Sequence, residues 1–152
     1  MSIMEIDKVI KQQRFKNEFQ KAIINLFYTS NHFRDMHSNV FKRFDIQGQH
    51  YNVLRILKGK HPQPVSPGYI KEVILDKGAD LTRLVDKLVK MGMVYRNICP
   101  DNKRKIHLNL TSEGIEKLTE ISNSLEYHYD KYHKLSNEDY TTLSHLLDKM
   151  RG

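Results

Sequence analysis

The chain has 152 residues and a mass of 18.0 kDa, 39% hydrophobic and 28% charged, enough for one packed domain with helical extensions and too apolar for wholesale disorder. Its formal charge of +7 is uneven: bases outnumber acids nine to five over residues 1–57 and eleven to five over 58–107, whereas acids lead eight to five over 111–152, a pattern that favours a local polyanion-binding face. The single cysteine excludes an intramolecular disulfide and disfavours a Cys-rich zinc site. No apolar run reaches the roughly 18 residues of a membrane span, and the N-terminal stretch lacks a signal-peptide pattern, so a cytoplasmic protein is expected.

In chain order, Val9, Ile10, Phe15, Phe19, Ala22, Ile23, Leu26 and Phe27 predict one long amphipathic helix over 6–29. Residues 30–47 lack a clean period and read as a connection holding a short helix. Val53, Leu54 and Leu57 face inward on a second helix over 49–58, stopped by Gly59. Two prolines make the segment 61–65 a turn. Ser66 then offers a capping oxygen, and Pro67 fits the first position of a third helix with Ile70, Val73 and Ile74 as its stripe. A fourth helix runs from Asp80 to Met91 on Leu81, Leu84, Val85, Leu88 and Val89, and Gly92 stands where a left-handed cap belongs.

Beyond Gly92 the period changes from 3.6 to 2. Val94 and Ile98, with Arg96 between them on the same face, form one strand. Ile106, Leu108 and Leu110, alternating with Lys105, His107 and Asn109, form another. Residues 99–104 are the polar hairpin tip. Thr111 caps a fifth helix bearing Ile115, Leu118, Ile121, Leu125, Tyr129 and Tyr132. Positions 115, 118, 125, 129 and 132 have the spacing of a coiled-coil seam, although for any single helix packing within the monomer is the safer reading. Ser136 with Asp139 has the pattern of a capping box, with Leu135 and Tyr140 as a hydrophobic staple. It opens a last helix carrying Tyr140, Leu143, Leu147 and Met150.

Three short helices followed by a two-stranded hairpin is the order of a winged helix-turn-helix. The expected fold is mainly α, with an N-terminal dimerisation helix and connection over 1–45, the winged domain over 46–110 and C-terminal dimerisation helices over 111–152. On the helix before the hairpin, Thr82, Arg83, Lys87 and Lys90 share the side opposite the Leu/Val stripe. A helix of this width enters the major groove, where Arg reads guanine or clamps phosphate. Lys103, Arg104 and Lys105 bring the wing to the adjacent groove or backbone, and Ser66 and Lys71 complete the expected DNA-binding set. A basic helix face alone is usually just solvated; its coincidence with a basic wing favours DNA.

At these residues the sequence resembles the multiple-antibiotic-resistance regulator (MarR) family over nearly the whole chain. The resemblance is carried by 81–88 (LTRLVDKL), 90–94 (KMGMV), 101–104 (DNKR) and 110–114 (LTSEG). It implies a homodimer with one winged domain per subunit on a palindromic operator in double-stranded DNA. It also places the recognition-helix positions on Thr82, Arg83 and Lys87 and the wing arginine on Arg104. The family's usual Asp two residues before that arginine is Asn102 here, and its Ser/Thr-rich helix start reads Gly78-Ala79-Asp80. The resemblance further implies an effector cleft between dimer helices and winged domain, for which Tyr28, His32, Phe33, His37, Phe44 and Tyr51 are the aromatic candidates and a small aromatic or phenolic molecule the ligand.

Cys99, near Arg96, Lys103 and Arg104, is a conceivable redox thiol, although an incidental turn residue is the better reading. The eight histidines show no metal spacing: His32/His37 and His128/His133 are each five apart. No phosphate loop, nucleophile elbow or HExxH motif occurs. The expected protein is therefore not an enzyme and needs no cofactor or metal. It reads as a DNA-binding regulator, a repressor released by an effector. The alternative is a winged-helix protein-interaction adaptor, which has no use for cations on both helix and wing.

Overall fold

Local capping chemistry places most of the helix starts. Ser66, Asp80, Thr111 and Ser136 each accept a hydrogen bond from the backbone N–H three residues on, which satisfies a donor that a helix start leaves open. The computed structural model describes residues 4–99 and 102–152, with backbone alone for Cys99, Lys103 and Arg104. Its elements are α1 (Ile6–Val9), α2 (Glu18–Lys42), α3 (Gly48–Lys60), α4 (Pro67–Val73), α5 (Leu81–Lys90), β1 (Val94–Cys99), β2 (Asn102–Leu110), α6 (Ser112–Tyr129), a 3-10 turn (Asp130–Tyr132) and α7 (Asn137–Arg151). This is the expected mainly helical winged helix-turn-helix, with a single antiparallel two-stranded sheet among the described residues. None of the described helices is long and apolar enough to cross a membrane.

The N-terminal third departs from the sequence reading. The single helix over 6–29 is two: α1 ends after one turn, Lys11 adopts φ 54°, and Asn17 caps a new start by accepting from the Gln20 amide at 2.9 Å. The expected connection over 30–47 is instead mostly the second half of α2. Its polar sequence hides a narrow apolar stripe, Met36, Val40 and Phe41, which is buried where α2 meets α3 and α6. The second helix also runs past Gly59 to Lys60. Its stop is the proline at 62, which holds His61 in an extended conformation (φ −54°, ψ 136°).

The sheet pairs Val94 with Leu110, Arg96 with Leu108 and Ile98 with Ile106 on one face, and Tyr95 with Asn109 and Asn97 with His107 on the other. Val65 bridges to Leu108, with N–O distances of 2.8 and 2.9 Å, and so ties the turn before α4 to β2. The first face is core only at its inner end: Val94, Leu108 and Leu110 are buried, while Ile98 and Ile106 are exposed. Asn109, expected outward, is buried because the 61–64 turn covers it. It donates to the Pro62 carbonyl at 3.2 Å and accepts from Asn97 at 3.1 Å.

The core is continuous through the winged domain into α6: Val53, Leu54, Leu57, Ile70, Leu84, Leu88, Leu108 and Ile121 are essentially inaccessible. Each such aliphatic side chain contributes about 1.5–3 kcal/mol by leaving water. Leu118, Ile121 and Leu125 pack inside this protomer, so the stripe of α6 is core and not a coiled-coil seam. By contrast α7 buries none of its residues: Leu143, Leu146 and Met150 are exposed, as are Phe19 and Phe27 on α2.

Candidate nucleic-acid interface

The turn that leads into α5 is held by side chains from α3 and by its own residues. Between α4 and α5, Asp76 accepts from the Gly78 amide at 3.0 Å, and Lys77 Nζ donates to the Lys71 and Glu72 carbonyls at the end of α4. Two side chains of α3 hold the same turn: Gln49 donates to Asp76, and Asn52 accepts from the Leu75 amide at 3.0 Å. Nothing in their local sequence marks Gln49 and Asn52, because their partners lie more than twenty residues away. Asp76 does carry a local signal, the Asp-Lys-Gly turn in which it accepts from Gly78. With Leu81, Leu84, Val85 and Leu88 buried, α5 has no freedom to roll.

That orientation exposes Thr82, Arg83, Asp86 and Lys90. Asp86 is an acid in the middle of a basic face, and its charge is met by the Arg96 guanidinium from β1. The pair links the first strand of the wing to α5. A signal existed in the sequence, since Arg96 stands ten residues after Asp86 across a capped turn.

Lys87 departs from the expected face. Its ammonium lies 3.2 Å from Asp45, in the turn between α2 and α3, and the side chain lines a cleft there. Helical geometry explains the difference: position 87 is rotated from 83 towards Leu84, so it lies at the edge of the exposed face. Asp45 adopts φ 54°, a conformation Asp tolerates better than most residues. The ion pair is largely exposed and contributes no more than about 1 kcal/mol.

Ser66, Lys71 and Lys105 are exposed, and Ser66 and Lys105 line one shallow depression at the base of the wing. The side chains of Lys103, Arg104 and Cys99 lie outside the described residues. The Cys99 backbone pairs with Asn102, as expected for a residue at the tip of the hairpin.

The cleft beside Lys87 has a volume of about 880 Å³ and is walled by Phe33, Arg34, His37, Phe41 and Lys42 of α2, the 45–48 turn, Leu75 and Asp76. Of the six aromatic candidates it takes Phe33 and His37. Tyr28 is exposed on α2, Phe44 lines a separate hollow with Met91 and Met93, and Tyr51 packs on Phe41 and reaches Ser122 at 3.4 Å. His32 pairs with the Tyr132 hydroxyl at 3.0 Å. One turn further along α2, His37 Nε2 and the Tyr129 hydroxyl lie 2.5 Å apart. Burial pushes His37 below the ordinary histidine range. It also pushes the Tyr129 hydroxyl up, reinforced by Tyr51 and Glu126 and opposed by Arg55. Neighbouring His50 is likewise lowered by burial and then by Lys87, with Asp45 opposing. No group of three or more His, Cys, Asp or Glu able to hold a metal occurs among the described residues.

Residues 48–106 match the model of the MarR family. Among curated proteins, the chain is 24% identical over 113 residues to the HTH-type transcriptional regulator PecS of Dickeya dadantii, covering 73% of this chain and 68% of that one. A crystal structure of a MarR transcription factor from Planctomyces limnophilus aligns with a TM-score of 0.69 and 27% identity, over 89% of this chain and 98% of that one. The S. aureus MepR–DNA complex aligns with a TM-score of 0.72 and 20% identity, over 83% and 93%.

Proposed function

The chain belongs to the MarR family, and on that footing we propose that it is a homodimeric, sequence-specific DNA-binding transcriptional regulator, a repressor released by a small effector. The observation that carries this reading is α5. It presents Arg83 and Lys90 outward on a helix that cannot roll, and its one central acid is met by the wing. A neighbour with the same fold, MepR, is solved in complex with DNA. In this reading Arg83 enters the major groove and Thr82 and Lys90 flank it. Lys103, Arg104 and Lys105 follow the wing to the adjacent groove, and Ser66 and Lys71 approach the backbone.

Residues 46–110 form the DNA-binding unit, and the segments 1–45 and 111–152 form the dimer module. The support is exposed apolar surface at both ends of the chain, including Phe19 (67% exposed), Phe27 (64%) and Leu146 (54%). A second copy covers these faces and sets two recognition helices about one turn of DNA apart, roughly 34–36 Å. The cleft suits a small aromatic or phenolic effector, with Phe33 and Phe41 as walls and Arg34 and Lys42 as cations. Because Lys87 and Asp45 join that cleft to α5, an occupant that favours a different helix spacing lowers DNA affinity.

Binding to duplex DNA across a salt series tests the reading. With four or five cations per subunit near phosphates, log K should fall against log salt with a slope of about −7 to −9 for the dimer. Mapping of bound genomic DNA then supplies the operator. A flat salt response, or no enrichment of any sequence, overturns the proposal in favour of a protein-interaction adaptor.

A further inference from the structure

The outer face of the wing carries a histidine that the recognition-helix account leaves unused. His107 stands on β2 directly across from Asn97 of β1, and it lines two neighbouring depressions of about 320 and 480 Å³. Lys60, Ser66 and Tyr69 line the first with it; Ser66, Lys105 and Ile106 line the second. The Val65–Leu108 bridge holds the two depressions together, because it fixes the chain before Ser66 against the strand that bears His107.

The chemistry here has one sign. The charged groups around the imidazole are the Lys60 ammonium from α3 and the Lys105 ammonium from β2, and Tyr69 from α4 is the remaining titratable neighbour. Lys60 is held 5.0 Å over the Tyr69 ring. No carboxylate lines either depression among the described residues. Ser66 Oγ accepts from the Tyr69 amide at 3.2 Å, and its own O–H is oriented by rotation and can donate to an anion. Hydroxyl, imidazole and ammonium therefore line one surface at the base of the wing. A phosphate placed against an imidazole favours the protonated form, and histidine is the side chain whose charge ordinarily changes between pH 5 and 8.

We propose that His107, with Ser66 and Lys105, holds a backbone phosphate of duplex DNA at the base of the wing and takes up a proton as it does so. This rests on the DNA-binding function proposed above and adds to it a proton-linked affinity. The partner is the DNA backbone and not a free anion, because the depressions are open and shallow and lie at the base of the wing that the proposed function brings to DNA. A contact of this kind is independent of sequence.

A labelled duplex of mixed sequence is therefore a sufficient probe, titrated with the full-length protein at constant ionic strength. Wild-type affinity should tighten about three- to tenfold for each unit of pH lowered between about 8 and 6.5. His107→Gln, which keeps a donor but no titratable charge, should remove that response. His107→Lys, a permanent cation, should bind more tightly than His107→Gln at both ends of the range. A pH-independent wild type, an undiminished response in His107→Gln, or no gain in His107→Lys overturns the assignment while leaving DNA binding intact. Absence of duplex binding at every pH and at low salt overturns the DNA-binding reading and this assignment with it.

Discussion

Replacing Gly114 by alanine should be far more damaging than a single methyl suggests. Gly114 is the third residue of α6, and its amide donates to Thr111 Oγ at 2.9 Å. The same hydroxyl donates to the Gly92 carbonyl at 2.6 Å, and the Thr111 amide donates to the Met93 carbonyl at 3.1 Å. The start of α6 thus lies flat on the turn between α5 and β1. A Cβ at 114 would sit well inside contact distance of the Met93 carbonyl oxygen and 2.8 Å from its carbonyl carbon. Both obstacles are backbone, so no rotamer change relieves them. Met93 is itself buried, bonded to the Leu88 carbonyl and continuous with β1.

Something on the order of 1 Å of backbone must therefore move, which costs about 1–3 kcal/mol for overpacking and about 1 kcal/mol for each Thr111 bond stretched out of range. A total near 3–4 kcal/mol lowers Tm by roughly 8–15 °C in a domain of this size. Gly59→Ala is the matched control, because a Cβ there meets nothing within 4 Å and a helical position gains about 0.5–1 kcal/mol on the same change. Thermal unfolding followed by circular dichroism, at equal protein concentrations because association shifts Tm, should show opposite signs for the two variants. If Gly114→Ala melts with the wild type, the Met93 backbone can yield and the reasoning about this joint is wrong.

Leu146→Glu, on the exposed face of α7, should weaken self-association and DNA affinity together with no change in the helix content of the protomer; sedimentation at micromolar concentration checks this, and an unchanged dimer would refute the assigned interface. Charges at Leu118 or Leu125 should instead unfold the protomer, since both are buried within it. Arg83→Ala should cost about 1–3 kcal/mol on the operator and less on scrambled DNA; equal losses on both would make Arg83 a phosphate contact. Because burial holds His37 and His50 below the ordinary histidine value, the unfolded chain takes up protons first as pH falls. Stability should therefore decline below about pH 7. Melting between pH 7.5 and 5.5 tests this, with His37→Gln flattening the trend, and a Tm that rises in acid would contradict it.

Where structure is decided locally, the amino-acid order was sufficient. The cap at Ser66 and the capping box at Ser136, the left-handed Gly92 (φ 73°), and the change of period after it depend on neighbours within a few residues. Such signals delimit α4, α5, the wing and α6 without knowledge of the rest of the chain. The exposed basic face of α5 was legible for the same reason, since a strong apolar stripe leaves only one side for Arg83 and Lys90.

What the chain order could not decide were the outcomes settled by segments far apart. Residues 30–42 look aperiodic alone, and they are helical because Met36, Val40 and Phe41 find α3 and α6 to pack against. Lys87 belongs by spacing with Arg83, but an aspartate forty-two positions earlier draws it to the wall of the cleft. Asn109 alternates as a surface residue and is buried because the Pro62 carbonyl meets its amide. Leu118 and Leu125 carry a dimer-like repeat and lie inside one protomer, while the apolar faces left uncovered are on α7 and the first half of α2. A periodic pattern says which side of an element is apolar. Which surface covers it is a property of the packed chain, because burial depends on what the other elements bring to that side.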